Sequence, residues 1–228
     1  MVRRGLGMLL LAVLAVWARG LAAAMTMEAD HAAFWRRRAR SPGTVTLVAL
    51  GDSLAQGLGA IHPERSWAGR LAEAIEERTG SRVRVLVLGV CGAGVADVLR
   101  LQLPQVPAAA LHGDPGTLIA LEVGTNDASG GTDPEEYRRL LTEVCAALPA
   151  GSLVGDVPDL QRGRVRVAGA RLSPVAREVV AAHPRLRLVR LEAATHRLAP
   201  WEFGPDLAHP NGLGYRRFGR AFTAALGS

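Results

Sequence analysis

Residues 45–57 have the sequence VTLVALGDSLAQG, in which an apolar, β-branched run leads directly into a polar turn. The run Val45–Leu50 predicts a buried strand, and Gly51-Asp52-Ser53-Leu54 turns the chain into the next element. In open parallel sheets, functional sites lie beyond the carboxyl ends of the strands. This stretch therefore predicts both a sheet and a place to look for chemistry.

The same alternation continues along the chain. Short apolar runs predict four more strands, at Val83–Leu88, Thr117–Val123, Leu153–Val157 and Leu186–Leu191. Segments with helical spacing of apolar residues lie between or after them, at Arg65–Thr79, from Pro134 onward and at Leu213–Leu226. Strands that alternate with helices indicate an α/β fold, a three-layer α/β/α sandwich around a five-stranded parallel sheet. We expect the strand order 2-1-3-4-5.

Polar blocks follow four of the five predicted strands. They are Gly51-Asp52-Ser53-Leu54, Gly89–Gly94, Gly124-Thr125-Asn126-Asp127 and Asp206-Leu207-Ala208-His209-Pro210. Because the carboxyl ends of parallel strands meet at one edge of a sheet, we expect these blocks to converge.

Three residues of these blocks suit nucleophilic catalysis. Ser53 lies where a strand turns into a helix, but a free serine is a poor nucleophile and needs a positioned base. His209 can be that base, because the ordinary pKa of histidine lies near neutrality. Asp206, three residues upstream, can orient the imidazole and stabilise its charged form.

Acyl transfer also needs donors for an oxyanion. The candidates are the backbone N–H groups of Ser53 and Gly92 and the side-chain amide of Asn126. Asp52 and Asp127 are interpreted as structural, holding their turns. We expect neither a metal nor an organic cofactor.

The four blocks together resemble the GDSL/SGNH hydrolase family. Leu50–Gly57 matches the nucleophile motif, Gly92 aligns with the oxyanion glycine of the second block, and Gly124–Asp127 and Asp206–Pro210 match the GxND and DxxHP blocks. The resemblance spans residues 50–210 in the family's order. It implies the flavodoxin-like SGNH fold and a serine hydrolase, esterase- or lipase-like, that cleaves carboxylic ester, thioester or O-acetyl bonds in small acyl substrates.

The second block departs from the family pattern. It often begins with an asparagine, and here that position is apolar, around Val87. The G-x-S-x-G elbow of typical α/β-hydrolases is absent.

The alternative to an enzyme is a non-catalytic glycan- or lipid-binding domain on the same fold, which would predict a missing catalytic residue. A nucleophilic Cys91 is a further alternative, which Ser53 makes unnecessary. His62 is interpreted as a loop residue, and the remaining histidines, His31, His112, His183 and His196, as surface residues.

Charge argues against a nucleic-acid partner. The chain has a formal net charge of +6, but residues 1–41 hold seven arginines and two carboxylates. The rest of the chain has 20 basic and 19 acidic residues, a net charge of +1. A nearly neutral domain without a basic stripe is not typical of nucleic-acid binding.

The N-terminus has the pattern of an export signal. Arg3 and Arg4 precede the apolar run Leu6–Trp17, and Ala22-Ala23-Ala24 follows. We expect a signal peptide or membrane anchor over residues 1–24, a linker or loosely held helix over 25–43, and the hydrolase domain over 44–228. Membrane attachment through residues 6–27 and a cytoplasmic domain are both left open, because Arg36–Arg40 disfavours translocation. A monomer is expected, and a Cys91–Cys145 disulfide is left open.

Overall fold

The computed structural model describes residues 27–160 and 164–227, together with residue 15. The predicted signal peptide or anchor therefore lies, apart from residue 15, outside the described residues.

A single parallel sheet forms the middle layer. Its strands are β1 (Val45–Gly51), β2 (Val83–Val87), β3 (Thr117–Glu122), β4 (Leu153–Gly155) and β5 (Arg187–Val189). They are ordered β2-β1-β3-β4-β5, and every neighbouring pair is parallel. The fold class and strand order expected from the sequence are confirmed.

Helices cover both faces of this sheet. In chain order they are α1 (27–38), α2 (Ser53–Gln56), α3 (Trp67–Thr79), α4 (Val95–Asp97), α5 (Ala108–Leu111), α6 (Thr125–Gly130), α7 (Pro134–Ala147), α8 (Arg164–Ala181), α9 (Leu191–Thr195) and α10 (Gly214–Ala225). Among the described residues, no helix combines the length and apolar character that crossing a membrane requires.

Strand β1 shows why the sheet is buried on both faces. Val48 and Leu50 pack into one apolar cluster, with residues of α7 and α8. Leu47 and Ala49 point the other way, into a second cluster with residues of α3 and α10. Because successive side chains alternate between faces, an unbroken apolar run of this kind is typical of a doubly covered parallel strand.

The ends of the long helices follow their sequences. Ser66 caps the start of α3 by accepting a hydrogen bond from the Gly69 amide at 3.3 Å, and Gly80 ends α3 in the left-handed conformation. Asp133 caps α7 in the same way, directly before Pro134. Local sequence therefore fixes where these two helices begin and end.

Helix α1 lies within the segment expected to be a linker or loosely held helix, and it is packed against the domain. Its His31 and Trp35 are each only 3% exposed. Both donate to the Gln56 carbonyl, His31 from Nδ1 at 3.1 Å and Trp35 from Nε1 at 2.9 Å. The expectation that His31 lies on the surface is wrong, because its ring satisfies a carbonyl at the end of α2.

Candidate active site

The nucleophile turn is built by the end of β1 and the start of α2. Gly51 has φ 141°, and a Cβ there would lie 1.9 Å from the backbone oxygen of Glu122, so only glycine fits. The next residue, Asp52, caps α2 through its Oδ1, which accepts from the Leu54 amide at 2.8 Å. This turn places Ser53 at the first position of the helix, with 6% of its surface exposed.

A chain of hydrogen bonds joins the three predicted catalytic residues. Ser53 Oγ lies 2.9 Å from His209 Nε2, across 156 positions of sequence. On the other side of the ring, His209 Nδ1 lies 2.6 Å from Asp206 Oδ2. The fold therefore brings a hydroxyl, an imidazole and a carboxylate into the relative positions that nucleophile, base and orienting group require.

Asp206 is held by the turn that carries the histidine. Its Oδ1 accepts from the backbone amides of Ala208 and His209, each at 3.0 Å. Burial alone would raise the pKa of Asp206, but the hydrogen bonds from the His209 ring and these amides outweigh burial and lower it. Asp206 is therefore a carboxylate at neutral pH.

The loop after α2 lies against the histidine. Gly59 has φ 87°, and a Cβ there would lie 2.8 Å from His209 Cβ and 2.5 Å from the Pro210 oxygen. Gly204 donates to the His209 carbonyl at 2.7 Å and lies next to Gly59, since a Cβ on Gly204 would be 2.9 Å from Gly59 Cα. The backbone of His209 is therefore in close contact with two adjacent glycine-containing loops.

Asn126 connects the nucleophile turn to the loop that follows β2. Its Nδ2 donates to Asp52 Oδ2 at 2.9 Å and to the Ala93 carbonyl at 3.0 Å. Asp52 and Ala93 are the immediate neighbours of Ser53 and Gly92, so the three predicted oxyanion donors belong to one connected set of loops.

The two predicted backbone donors are not engaged elsewhere. Within the described part of the chain, neither the Ser53 nor the Gly92 amide donates a hydrogen bond. Gly92 lies in an exposed turn at φ 80°, where an added Cβ would meet no atom within 4 Å. Asp127 braces this loop by accepting from the Val95 amide at 3.1 and 3.3 Å.

Two further carboxyl groups lie beneath the nucleophile turn. Asp52 and Glu122 are both 0% exposed. Burial raises the pKa of Asp52 to about 6, against the lowering effects of the Leu54 amide and of His209. Burial, and then the charge of Asp52, raise the pKa of Glu122 well above its ordinary value. Sequence reasoning missed Glu122, although an acid at the end of the apolar run Thr117–Val123 was a visible signal.

Cys91 lies beside the serine, and Glu28 of α1 lies beside Cys91. The Cys91 thiol interacts with the side chains of Glu28 and Ser53, and burial together with the carboxylates of Glu28 and Asp52 raises its pKa to about 11. Such a thiol stays protonated, which disfavours it as a nucleophile. Both Cys91 and Cys145 are free thiols in the structure.

The stretch Gln56–Arg65, which follows the nucleophile turn in sequence, borders an open groove of about 700 Å³. Ile61 and Arg65 line it together with Leu213, but neither Ser53 nor His209 does. A smaller cavity of about 150 Å³ lies beside Thr125, between Val157 and α8.

Within the residues that the structure describes, no group of three or more His, Cys, Asp and Glu side chains is arranged to hold a metal ion.

Solved structures with the same fold are hydrolases. LAE5, described as an alpha/beta hydrolase enzyme from the metagenome of Lake Arreo, Spain, is 21% identical with a TM-score of 0.64, over 82% of this chain and 97% of that one. Axe2, an acetylxylan esterase from Geobacillus stearothermophilus, is 18% identical with a TM-score of 0.61, over 81% of this chain and 94% of that one. The architecture is therefore that of the SGNH-type α/β/α hydrolases.

The sequence defines the family more closely. A model of the GDSL-like Lipase/Acylhydrolase family matches residues 49–217, which include Ser53, Asn126 and His209. The chain belongs to this family, and the resemblance noted in the sequence is confirmed.

One curated relative also matches. The GDSL-like esterase Rv1075c of Mycobacterium tuberculosis (strain ATCC 25618 / H37Rv) is 29% identical over 196 residues, which are 79% of this chain and 60% of that protein. The chain therefore spans less than two thirds of the length of this relative.

Proposed function

We propose that this protein hydrolyses carboxylic ester bonds, or the related thioester or O-acetyl bonds, through an acyl-enzyme on Ser53. The observation that carries the proposal is the continuous hydrogen-bond chain from Ser53 through His209 to Asp206, with separations of 2.9 and 2.6 Å. Membership of a lipase and acylhydrolase family supports the same chemistry.

In the first half-reaction, Ser53 Oγ attacks the acyl carbon while His209 Nε2 takes its proton. The new C–O bond gives a tetrahedral intermediate, and His209 then returns the proton to the departing alcohol as the ester C–O bond breaks. Water attacks the acyl-enzyme by the same route in the second half-reaction. Asp206 stabilises the imidazolium in both, because its lowered pKa keeps it ionised.

The oxyanion would be received by the backbone amides of Ser53 and Gly92 and by the Asn126 side chain. Both hydrogens of the Asn126 amide already have acceptors, Asp52 and the Ala93 carbonyl. Binding an oxyanion therefore requires this amide to share or release one of these bonds. The neutral Ala93 carbonyl is the weaker acceptor and the one that we expect to be released.

A non-catalytic binding domain on the same fold is the competing function. It is disfavoured because the nucleophile, base and orienting group are all present and mutually hydrogen-bonded. The proposed substrates are small acyl esters. Because the fold neighbours include proteins described as an acetylxylan esterase and a lipase, both acetyl and longer acyl esters should be tried.

The test uses the full chain and p-nitrophenyl esters from acetate to octanoate. We expect turnover that Ser53→Ala abolishes and that the control Ser81→Ala, at a serine remote from the site, retains. Labelling by a fluorophosphonate probe should follow the same pattern. A folded protein that neither turns over any ester nor takes the probe would instead be a binding domain.

We also propose that residues 1–24 direct export or membrane attachment, on the strength of the charged, apolar and small-residue order of that segment. Cell fractionation and N-terminal sequencing test this. An intact N-terminus in the soluble cytosolic fraction would contradict it.

A further inference from the structure

Glu122 is a buried acid for which the catalytic mechanism has no use. It ends β3 and pairs in register with Gly51 of β1, directly before the nucleophile turn. Its side chain is 0% exposed, and neither carboxyl oxygen accepts a hydrogen bond from a donor among the described residues. A carboxyl group left in this state is costly unless another group compensates it.

Nearby polar groups do not supply that compensation. Tyr137 and Tyr215 interact electrostatically with Glu122, but their hydroxyls donate to the Val123 carbonyl at 3.4 Å and to the Leu58 carbonyl at 2.8 Å.

The Gln102 amide at the end of β1 is directed at Gly51. Its Oε1 accepts from the Gly51 amide at 2.9 Å, and its Nε2 donates to the Gly51 carbonyl at 2.7 Å. None of these described groups donates a hydrogen bond to Glu122.

The side chain that interacts directly with the Glu122 carboxyl is that of Asp52. Asp52 is equally buried, yet it accepts from the Leu54 amide at 2.8 Å and from Asn126 Nδ2 at 2.9 Å. His209 and Asp127 are the other charged groups that act on Asp52. Since two buried carboxyl groups in contact cannot both ionise at low cost, the one with donors carries the charge and the one without keeps a proton.

We propose that Glu122 is a positioning residue: as a neutral acid it donates an O–H hydrogen bond to the Asp52 carboxylate, and through Asp52 it fixes the Asn126 amide and the nucleophile turn. Asp52 then receives three donors, from Glu122, Leu54 and Asn126. The inference rests on the proposed esterase function, because Asn126 matters only if an oxyanion forms.

The decisive variants are Glu122→Gln and Glu122→Met, which have similar length and differ in whether they can donate to Asp52. We expect Glu122→Gln to keep kcat within about 3-fold, since an amide N–H replaces the acid O–H. We expect Glu122→Met to lower kcat about 10- to 100-fold with little change in KM, less than the outright loss of an oxyanion donor.

A double-mutant cycle separates positioning from a general structural role. If Glu122 acts through Asn126, Glu122→Met should have little further effect on kcat in the Asn126→Ala background. Equal losses of kcat in both backgrounds would overturn the proposal. So would a Glu122→Gln enzyme as slow as Glu122→Met, because it would show that an ionised carboxylate is needed.

A measurement independent of activity covers the case in which Glu122→Met does not fold. The infrared spectrum of the unsubstituted protein at neutral pH should contain the band of a protonated carboxyl that is lost in Glu122→Gln. Retention of that band in Glu122→Gln would overturn the proposal. Failure of the proposed esterase function can be told apart from failure of this inference. It would appear as the absence of Ser53-dependent turnover in the unsubstituted protein, and it would leave the infrared result unaffected.

Discussion

Two carboxyl environments lie near Ser53, and they differ in what surrounds the acid. Asp206, on the loop that carries His209, accepts three hydrogen bonds and has a lowered pKa. Glu122, behind the nucleophile turn, is completely buried without a donor and has a pKa raised well above its ordinary value. Asp52 lies between these extremes, buried but with two donors and a pKa of about 6.

The comparison shows that the donors directed at a carboxyl, more than its burial alone, decide its charge in this site. Burial raises the pKa of all three acids, and only at Asp206 do hydrogen bonds outweigh it. In the proposed mechanism, Asp206 thus provides a fixed negative charge for the imidazolium, while the inner pair, Asp52 and Glu122, can hold a proton. Carboxyl groups of similar chemistry take different roles because their surroundings differ.

The largest effect that tests this contrast is expected from Asp206→Asn. The amide keeps the size of the side chain but removes the charge and favours the wrong tautomer of His209, so kcat should fall roughly 10⁴-fold. Ester hydrolysis at saturating substrate measures it. Glu122→Gln, the equivalent acid-to-amide change in the inner pair, is the matched control and should have almost no effect. Comparable losses in the two variants would mean that the two environments are not distinct.

Asn126→Ala should have the next largest effect. Removing one oxyanion donor typically lowers kcat about 10²- to 10³-fold, with a smaller change in KM. Kinetics on p-nitrophenyl acetate at saturating and at low substrate would separate the change in kcat from the change in KM. An unchanged kcat would remove Asn126 from the oxyanion site.

The stability of the inner pair should depend on pH with a definite sign. Because the folded-state pKa of Glu122 is raised, the native protein keeps a proton that the unfolded chain loses above the ordinary value of 4.5. Unsubstituted protein should therefore lose stability relative to Glu122→Gln by about 1.4 kcal/mol per pH unit, from that value up to the folded pKa.

Urea unfolding of both proteins between about pH 5 and about pH 8 measures this slope. Below the ordinary pKa of a carboxyl group, the unfolding free energies of the two proteins should change with pH in the same way, because Glu122 is then protonated in both the folded and the unfolded state. A stability difference that stays constant across the whole range would show that Glu122 titrates normally.

Features that are recorded in a short stretch of sequence could be predicted, and features that depend on the assembled fold could not. The proximity of Ser53, His209 and Asp206 and the strand order were predictable because each is recorded locally, in apolar runs and in motifs such as Gly51-Asp52-Ser53. The role of Glu122 was not, because it depends on the β1–β3 register and on which donors are already engaged elsewhere. The packing of helix α1 was not predicted, because this segment precedes every motif; its bonds to Gln56 and the place of Trp35 in the apolar core show that it is held against the domain.

The smallest effect is expected from a substitution in helix α1. It tests whether this helix only stabilises the domain or also supports catalysis. Trp35→Phe keeps an aromatic ring but removes the Nε1–H bond to the Gln56 carbonyl, which His31 still satisfies. We expect a loss of about 1 kcal/mol in the free energy of unfolding and a kcat within about 2-fold. Trp201→Phe, at a tryptophan that is 72% exposed, is the control and should change neither. If Trp35→Phe lowered kcat as strongly as Asn126→Ala, α1 would be part of the catalytic arrangement, since the hydrogen bond it loses ends on the last residue of the nucleophile helix α2.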